Sequence, residues 1–302
     1  MILELPAPRK TVDVAMDDGA IIRLRQHGTP GRLRLALSHG NGLAIDGYYP
    51  FWRLLIERYE VILFDFRNHG QNPLHGFEHH SWPRFVDDLE SVFAAIQQNF
   101  GARRTVGVFH SLAAVTASMA TQRYGARWDP LVLFDPPFYP PPGQPVHAAQ
   151  VSNEDDIAAR AERRTTTYTD PSKLAESFAR NLPRWRPEAY QLMARATLRR
   201  DPESGQWVLV CPREFEAQVF RSNRNPATWE GLKRMPVAVK IIGADPALPE
   251  SGPSAQLGRA AAAEAGLEYE AIPDTTHFLQ IEKPYECTVA MESFLRQQGL
   301  LE

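Results

Sequence analysis

The 302-residue chain has few cysteines and no long apolar run, and each absence excludes a class of protein. Cys211 and Cys287 lie far apart, so neither a metal-binding cysteine pair nor a disulfide framework is indicated. No segment approaches the ~18 consecutive apolar residues of a membrane helix, and the first ten residues lack the apolar stretch of a signal peptide. We therefore expect a protein of the reducing cytoplasm with no membrane partner.

A strong charge of one sign is also absent. The net charge is −3, and arginine pairs such as Arg103-Arg104 are isolated, so the basic footprint of a nucleic-acid-binding protein is missing. Neither a P-loop nor a G-x-G-x-x-G motif is present to bind a nucleotide cofactor. The cluster His75, His79 and His80 has no cysteine or carboxylate at ligand spacing. We expect a small-molecule substrate with no cofactor, metal or nucleic acid, and the oligomeric state stays open.

The pattern of hydrophobic residues predicts an α/β fold. Apolar strands separated by helices are typical of a mostly parallel sheet, here eight-stranded, with helices on both faces. The predicted strands are Thr11–Met16, Ala20–Gln26, Leu33–Leu37, Glu60–Phe64, Thr105–Phe109, Leu131–Phe134, Val237–Ile242 and Leu267–Ile272. The predicted helices are Tyr48–Tyr59, Ser81–Phe100, Leu112–Tyr124, Gly252–Gly266 and Pro284–Gln298.

The alternation of strands and helices breaks in the middle of the chain. Asp135–Pro145 is rich in proline, which disfavours both helices and central strands, and a helical pattern with scattered aromatic residues follows. We expect residues 1–138 and 232–302 to form the core, and residues 139–231 to form a helical cap over a substrate pocket. Some of the bulky cap aromatics should face an apolar ligand, the candidates being Trp185, Tyr190, Phe215 and Phe220. The alternative for any single one of them is packing in the cap's own small core.

The most informative motif surrounds Ser111. A predicted strand ends immediately before this serine and a helix of small residues begins immediately after it. Such a sharp turn exposes the hydroxyl of a nucleophile and requires small flanking residues two positions away on either side. Ala113 fits this requirement, whereas Phe109 stands where glycine is usual. The alternative is an ordinary serine that caps a helix.

Two further loops could complete a site for acyl transfer. His39-Gly40-Asn41-Gly42 follows a predicted strand and could offer one backbone N–H to a developing oxyanion, with the N–H of Leu112 as the second. The alternative is a plain glycine-rich turn, and His39 itself is expected to be a buried structural histidine. His277 lies between the last strand and the last helix, from where it could reach the serine.

The acid of this site has two candidates. Asp245 follows the predicted strand Val237–Ile242, and an aspartate at a strand end could orient the imidazole and stabilise its charged form. The order Ser111, Asp245, His277 is that of the α/β-hydrolases. Asp135, at the end of an earlier strand, is the rival. We expect Asp245 to be the acid.

Together these motifs resemble the α/β-hydrolase superfamily, in the branch with a helical cap. Residues 65–72 (DFRNHGQN) are similar to the family's D-x-R-G-H-G-x-S turn, with Asn68 in place of glycine. Residues 277–284 are similar to its G-H-x-x-x-x-E-x-P stretch, with Thr276 in place of glycine. The resemblance implies a catalytic triad of Ser111, His277 and Asp245, with Asp135 as the rival acid, and oxyanion-binding N–H groups on Asn41 and Leu112.

The resulting functional hypothesis is a serine hydrolase that cleaves an ester or thioester of a small apolar substrate through an acyl-enzyme. Two alternatives stay open. The same triad can hydrolyse a carbon–carbon bond of a diketone, and a relative of such enzymes can bind ligands without catalysis. The intact serine, aspartate and histidine positions argue against the last alternative.

Overall fold

The computed structural model describes residues 4–302 and contains an eight-stranded sheet flanked by helices. The strands of this sheet are β1 (Lys10–Ala15), β2 (Ile21–Gly28), β3 (Arg34–Ser38), β4 (Glu60–Phe64), β5 (Thr105–His110), β6 (Leu131–Phe134), β10 (Val239–Gly243) and β11 (Glu268–Ala271). A second sheet of three short strands contains β7 (Thr167–Tyr168), β8 (Leu198–Arg200) and β9 (Trp207–Leu209). The helices, α1 to α11 in chain order, are Tyr49–Trp52, Trp82–Phe100, Leu112–Tyr124, His147–Glu162, Pro171–Asn181, Pro187–Ala196, Arg213–Ser222, Ala227–Glu230, Pro253–Ala265, Leu279–Glu282 and Pro284–Gln297.

The order of strands in the large sheet is β1-β2-β4-β3-β5-β6-β10-β11. Strands β1, β2 and β4 pair antiparallel, and every other neighbouring pair is parallel. The apolar strands β3, β4, β5 and β6 are buried along their whole length, as expected for a sheet covered on both faces. The predicted α/β fold with an eight-stranded, mostly parallel sheet is therefore confirmed.

Helices cover the sheet on both faces because each presents one apolar side to it. In α2 the buried residues Phe85, Leu89, Val92 and Ile96 recur every three or four positions and pack in one core cluster with residues of α3 and α9. A second core cluster contains residues of α1 and α11. Helix α3 is alanine-rich and buried over most of its length, so it can lie close to the sheet. Among residues 4–302, no helix combines the length and hydrophobicity that crossing a bilayer requires.

Two sequence expectations differ from the structure. Within the predicted helix Tyr48–Tyr59 only α1 is α-helical, preceded by the 3₁₀ helix Ile45–Tyr48 and followed by turns. The α-helix ends because the N–H groups of Leu54, Leu55 and Arg58 bond carbonyls three residues back rather than four. The segment 139–231, which we call the cap, contains α4 to α8 but also the strands β7 to β9. The hairpin of β8 and β9 forms around the turn at Asp201–Gln206, where the N–H of Asp201 donates to the carbonyl of Gln206.

Gly107 explains how the bulky Phe109 fits in β5. Alternate residues of a strand point to the same face, and a methyl group on Gly107 would lie 2.5 Å from the Phe109 ring and 2.7 Å from a Leu131 methyl. The Phe109 ring instead packs edge-on against Trp128 at 5.3 Å. The missing side chain at 107 therefore provides the space for the ring at 109.

We predict that Gly107→Ala destabilises the protein by about 1–3 kcal/mol, because the added methyl overpacks a fully buried site. Urea denaturation, with the free energy of unfolding extrapolated to water, measures the loss. Gly258→Ala is the control, because its methyl would lie 3.3 Å from Ile241 in a helix that favours alanine. Equal effects of the two substitutions would contradict this account of residue 107.

Candidate active site

The candidate residues lie where three strands end. Ser111 follows β5, Asp135 follows β6, and His277 lies in the loop after β11. These strands are parallel, so their carboxyl ends meet at one edge of the sheet, which is where α/β proteins place their sites. The topology therefore brings side chains that are distant in sequence to one place.

Ser111 occupies a strained backbone position between β5 and α3. Its φ of 52° and ψ of −113° lie in a region that residues with a side chain seldom adopt, at a cost of about 1–3 kcal/mol. The Ser111 N–H donates to the carbonyl of Phe134, 3.0 Å away, which ties the turn to the adjacent strand. The serine is 6% exposed, so its hydroxyl reaches a cavity while its backbone stays packed.

His277 joins the serine to a buried aspartate. Its Nε2 lies 2.9 Å from the Ser111 Oγ, and its Nδ1 lies 2.6 Å from the Oδ2 of Asp135. Asp135 is fully buried, and its other oxygen accepts the N–H of Ala244 at 3.0 Å. An imidazole held between a hydroxyl and a carboxylate can take the hydroxyl proton while the carboxylate stabilises the resulting charge.

The expectation that Asp245 orients His277 is wrong. The Asp245 carboxylate accepts the N–H of Ala247 at 2.8 Å and that of Asp274 at 2.7 Å, so it bonds backbone of its own loop and of the loop after β11 rather than the imidazole. These two backbone N–H groups lower the pKa of Asp245. Asp135, the rival candidate, directly follows its strand with a φ of 41°, and this backbone turn directs its carboxylate to the imidazole.

The predicted oxyanion donors flank the serine. Leu112 begins α3, so its N–H has no acceptor within the helix. Asn41 lines the same cavity as Ser111, and within residues 4–302 its N–H has no backbone acceptor. We call residues 39–42 the glycine loop. A methyl on Gly40 would lie 3.2 Å from the Ser111 Cβ, so glycine is what permits this close approach.

The glycine loop forms hydrogen bonds with the core on one side and with the cap on the other. His39 is fully buried, its Nε2 accepts the N–H of Phe66 at 3.1 Å, and burial lowers its pKa to about 4. The Asn41 side chain donates to the carbonyl of Glu216 in α7 at 2.9 Å, and the Glu216 carboxylate pairs with Arg164. The structural role expected for His39 agrees with these contacts, whereas no local motif marks Glu216 or Arg164 as contacts of this loop.

A cavity of about 1050 Å³ separates the cap from the sheet edge. Ser111 and His277 form part of its floor, and residues of α4 and α7 line the opposite side. Most cap residues along this wall are polar or charged, namely Gln150, Asn153, Glu154, Arg160, Arg164, Asn181, Arg184, Glu216 and Asn223. The site can therefore enclose a substrate of moderate size and offer it hydrogen bonds.

Most of the cap aromatics expected at the pocket lie elsewhere. Phe220 lines the cavity, together with Phe178. Trp185 and Tyr190 stack on each other, with ring centres 6.1 Å apart, and Trp185 is buried in the core cluster under the cap. Phe215 packs against Phe77 with ring centres 4.9 Å apart. These three residues therefore pack against other side chains of the protein and do not line the cavity.

The histidine-rich loop forms a polar cluster beside an arginine. Asp18, His75 and His79 place possible metal ligands within 4.8 Å of one another. The Asp18 carboxylate, however, already accepts the Arg67 guanidinium at 2.7 Å, and this positive charge opposes a cation. His80 is buried and its Nδ1 lies 3.1 Å from the Asn68 amide. These contacts favour a structural role for the loop.

The two departures from the family motifs have local explanations. Asn68 has a φ of 63°, a left-handed conformation that asparagine tolerates better than most residues, so it can replace glycine there. The Thr276 N–H donates to Glu282 at 2.7 Å, and the threonine hydroxyl bonds the same carboxylate. These bonds fix the loop immediately before His277.

Comparisons with known proteins place this geometry in a family. A model of the alpha/beta hydrolase family matches residues 35–288. The solved structure of an E-2-(acetamidomethylene)succinate hydrolase is similar to 95% of this chain and 100% of its own, with 18% identity and a TM-score of 0.77. An alpha/beta hydrolase from Novosphingobium aromaticivorans is similar at 17% identity, with 96% and 99% covered and a TM-score of 0.74. A thioesterase domain from the curacin biosynthetic pathway is similar at 16% identity, with 95% and 99% covered and a TM-score of 0.72. A sequence search of curated proteins finds no match.

We predict that Asp135→Asn lowers the rate at which a fluorophosphonate labels Ser111 by up to about 10⁴-fold, because the neutral amide favours the wrong tautomer of His277. Time courses of labelling, read by intact-protein mass spectrometry, measure the rate. Asp245→Asn is the matched control and should change it by less than about tenfold, since its carboxylate bonds only backbone N–H groups. A silent Asp135→Asn beside a damaging Asp245→Asn would restore Asp245 as the acid.

Proposed function

Because the chain belongs to the alpha/beta hydrolase family, we propose that it is a serine hydrolase that cleaves an ester or thioester through an acyl-enzyme. The observation that carries the proposal is the hydrogen-bonded line from Ser111 through His277 to Asp135. In this proposal Ser111 is the nucleophile, His277 is the general base and then the general acid, and Asp135 holds the imidazole in the required tautomer.

The positions of these atoms support the following proposed reaction. His277 removes the proton of the Ser111 hydroxyl as its oxygen attacks the carbonyl carbon, and the N–H groups of Asn41 and Leu112 stabilise the developing oxyanion. The imidazolium then protonates the leaving alcohol or thiol. A water molecule, deprotonated by the same imidazole, hydrolyses the acyl-enzyme and regenerates the serine.

The cavity supports a substrate that carries polar groups on a largely apolar body. The wall contributed by the cap includes Glu154, and burial raises the pKa of this carboxyl to about 8. Its Oε1 accepts hydrogen bonds from Gln150 at 2.8 Å and from Asn223 at 2.6 Å. Polar side chains of this kind orient a ligand in a pocket whose surface is otherwise largely apolar. We therefore propose that the acyl or leaving group carries polar substituents, with Phe178 and Phe220 covering its apolar part.

We predict that Ser111→Ala removes nearly all hydrolysis, since loss of a triad nucleophile costs on the order of 10⁶ in kcat. A panel of p-nitrophenyl esters and acyl thioesters, with fluorophosphonate labelling of the same samples, measures the activity. Ser118→Ala is the matched control, because this buried hydroxyl lies in the adjacent helix and bonds only the Ala114 carbonyl. Both variants should have native circular dichroism spectra.

The double variant Ser111→Ala/His277→Ala should be hardly slower than either single variant, because the two residues act as a unit. Multiplicative losses would contradict the pairing of His277 with Ser111.

Labelling of Ser111 without turnover of esters or thioesters would favour hydrolysis of a carbon–carbon bond, as in diketone substrates. A wild-type protein that is folded but not labelled would favour a ligand-binding relative and refute the proposal.

Phe220→Ala should change kcat/KM unequally across esters of different acyl length, because each lost methylene contact is worth about 1–3 kcal/mol in discrimination. The ratio of kcat/KM for butyrate and acetate esters is the measurement. Phe215→Ala, on the same helix but packed against Phe77, should leave this ratio unchanged. Equal changes in the ratio for the two variants would show that Phe220 does not contact the acyl group.

A further inference from the structure

His110, the residue before the nucleophile, takes no part in the proposed reaction but lies between two of its loops. It is fully buried, and its ring centre lies 4.7 Å from that of His277. Its Nε2 lies 2.8 Å from the backbone carbonyl of His277, and its Nδ1 lies 2.7 Å from the Tyr48 hydroxyl. Both ring nitrogens of His110 therefore have hydrogen-bond partners among the residues around the site.

The chemistry of these partners fixes the direction of each hydrogen bond. A backbone carbonyl can only accept, so Nε2 of His110 must carry the proton that it donates to His277. Burial and the neighbouring His277 hold the pKa of His110 well below its usual value, so the ring is neutral and Nδ1 is an acceptor. The Tyr48 hydroxyl then donates to Nδ1, and burial raises the tyrosine pKa, which keeps that proton in place.

The same hydroxyl extends the network to the glycine loop. The Gly40 N–H donates to the Tyr48 oxygen at 3.2 Å, which gives one directed chain from Gly40 through Tyr48 and His110 to the carbonyl of His277. Gly40 also lies so close that a methyl there would be 3.1 Å from the His110 Nδ1. This chain of hydrogen bonds thus joins the glycine loop, the turn at Ser111 and the loop that contains His277.

This chain of hydrogen bonds connects two loops that follow non-neighbouring strands of the sheet. The glycine loop follows β3, beside β5, whereas His277 follows β11 at the edge of the sheet, with β6 and β10 in between. Within residues 4–302, the His277 carbonyl has His110 as its hydrogen-bond donor. Without that bond, His277 would be held by its side chain, which has to move protons, and by the bonds of the neighbouring Thr276 to Glu282.

We propose that His110 is a positioning residue that, through Tyr48, sets the distance between the glycine loop and the His277 loop above Ser111. The inference rests on the proposed function, because these two loops carry the oxyanion donor and the general base. A buried histidine that serves only the core would contribute to stability alone. The positioning role requires, in addition, that loss of the chain lowers kcat with little change in KM.

Tyr48→Phe tests the proposal because it removes one hydroxyl from the chain. We expect kcat to fall at least about tenfold with KM within about twofold, since a small misplacement of reacting groups can cost up to about 10² in rate. Tyr59→Phe is the matched control, as its hydroxyl is also buried but bonds Glu292 at 2.9 Å in the same core cluster. Thermal melting should show comparable losses of stability for the two variants.

Variants of His110 separate its two bonds. His110→Gln retains an amide that can donate toward the His277 carbonyl, whereas His110→Leu retains no donor. We expect the glutamine variant to keep more kcat than the leucine variant, and Tyr48→Phe to add little loss to His110→Leu. Equal kcat in Tyr48→Phe and Tyr59→Phe, or independent losses in the double variant, would overturn the proposal.

An experiment without substrate keeps this test separate from the proposed function. In protein labelled with ¹⁵N at histidine, long-range ¹H–¹⁵N spectra report the tautomer and charge of each ring. The His110 signals, assigned by their absence in His110→Gln, should show a neutral ring protonated on Nε2 from pH 5 to 8. Tyr48→Phe should keep the Nε2 tautomer, because the His277 carbonyl still accepts its proton, but should shift the Nδ1 resonance, since that nitrogen loses its donor. A charged ring at pH 6, or a wild-type Nδ1 tautomer, would refute the directed chain whatever the enzyme hydrolyses.

Discussion

The backbone turn at Ser111 is the constraint on which the rest of the site depends. At a φ of 52° the chain leaves β5 and enters α3 without an intervening loop, so the serine hydroxyl projects from the sheet edge. The strain persists because its surroundings are rigid: β5 is buried along its length, and Phe134 accepts the Ser111 N–H. His277 and the proposed oxyanion donors therefore have to be positioned relative to a fixed serine hydroxyl.

Much of this arrangement could be predicted from the sequence because it depends on local patterns. Apolar runs of four to eight residues predicted the strands, and the expected starts and ends of most of them lie within a few residues of the observed ones. Ser111 and His277 were found because each occupies a characteristic place between a strand and a helix. The α/β fold follows from the same alternation.

The acid could not be chosen from local pattern, because two aspartates follow adjacent parallel strands. Asp135 and Asp245 both lie at the sheet edge that holds the site. What separates them is the backbone: Asp135 has a φ of 41° and faces the imidazole, while Asp245 accepts one N–H from its own loop and one from the loop after β11. Side-chain direction after a strand depends on one torsion angle, which residue type does not determine. The positions of Trp185 and Phe215 were unpredictable for a related reason, because an aromatic residue in a cap can face either the ligand or the core.

Both the cap and the core form hydrogen bonds with the glycine loop. From the core, the hydroxyl of Tyr48 accepts the Gly40 N–H; from the cap, the Glu216 carbonyl accepts the Asn41 side chain. A methyl on Gly42 would lie 2.5 Å from the Glu216 carboxylate, so the cap packs directly onto this loop. Since a proposed oxyanion donor is the N–H of Asn41, a displacement of α7 by a substrate would move that donor as well. In the proposed mechanism, the cap and the proposed oxyanion donor therefore meet in one loop, and the proposed chain through His110 links that loop to His277.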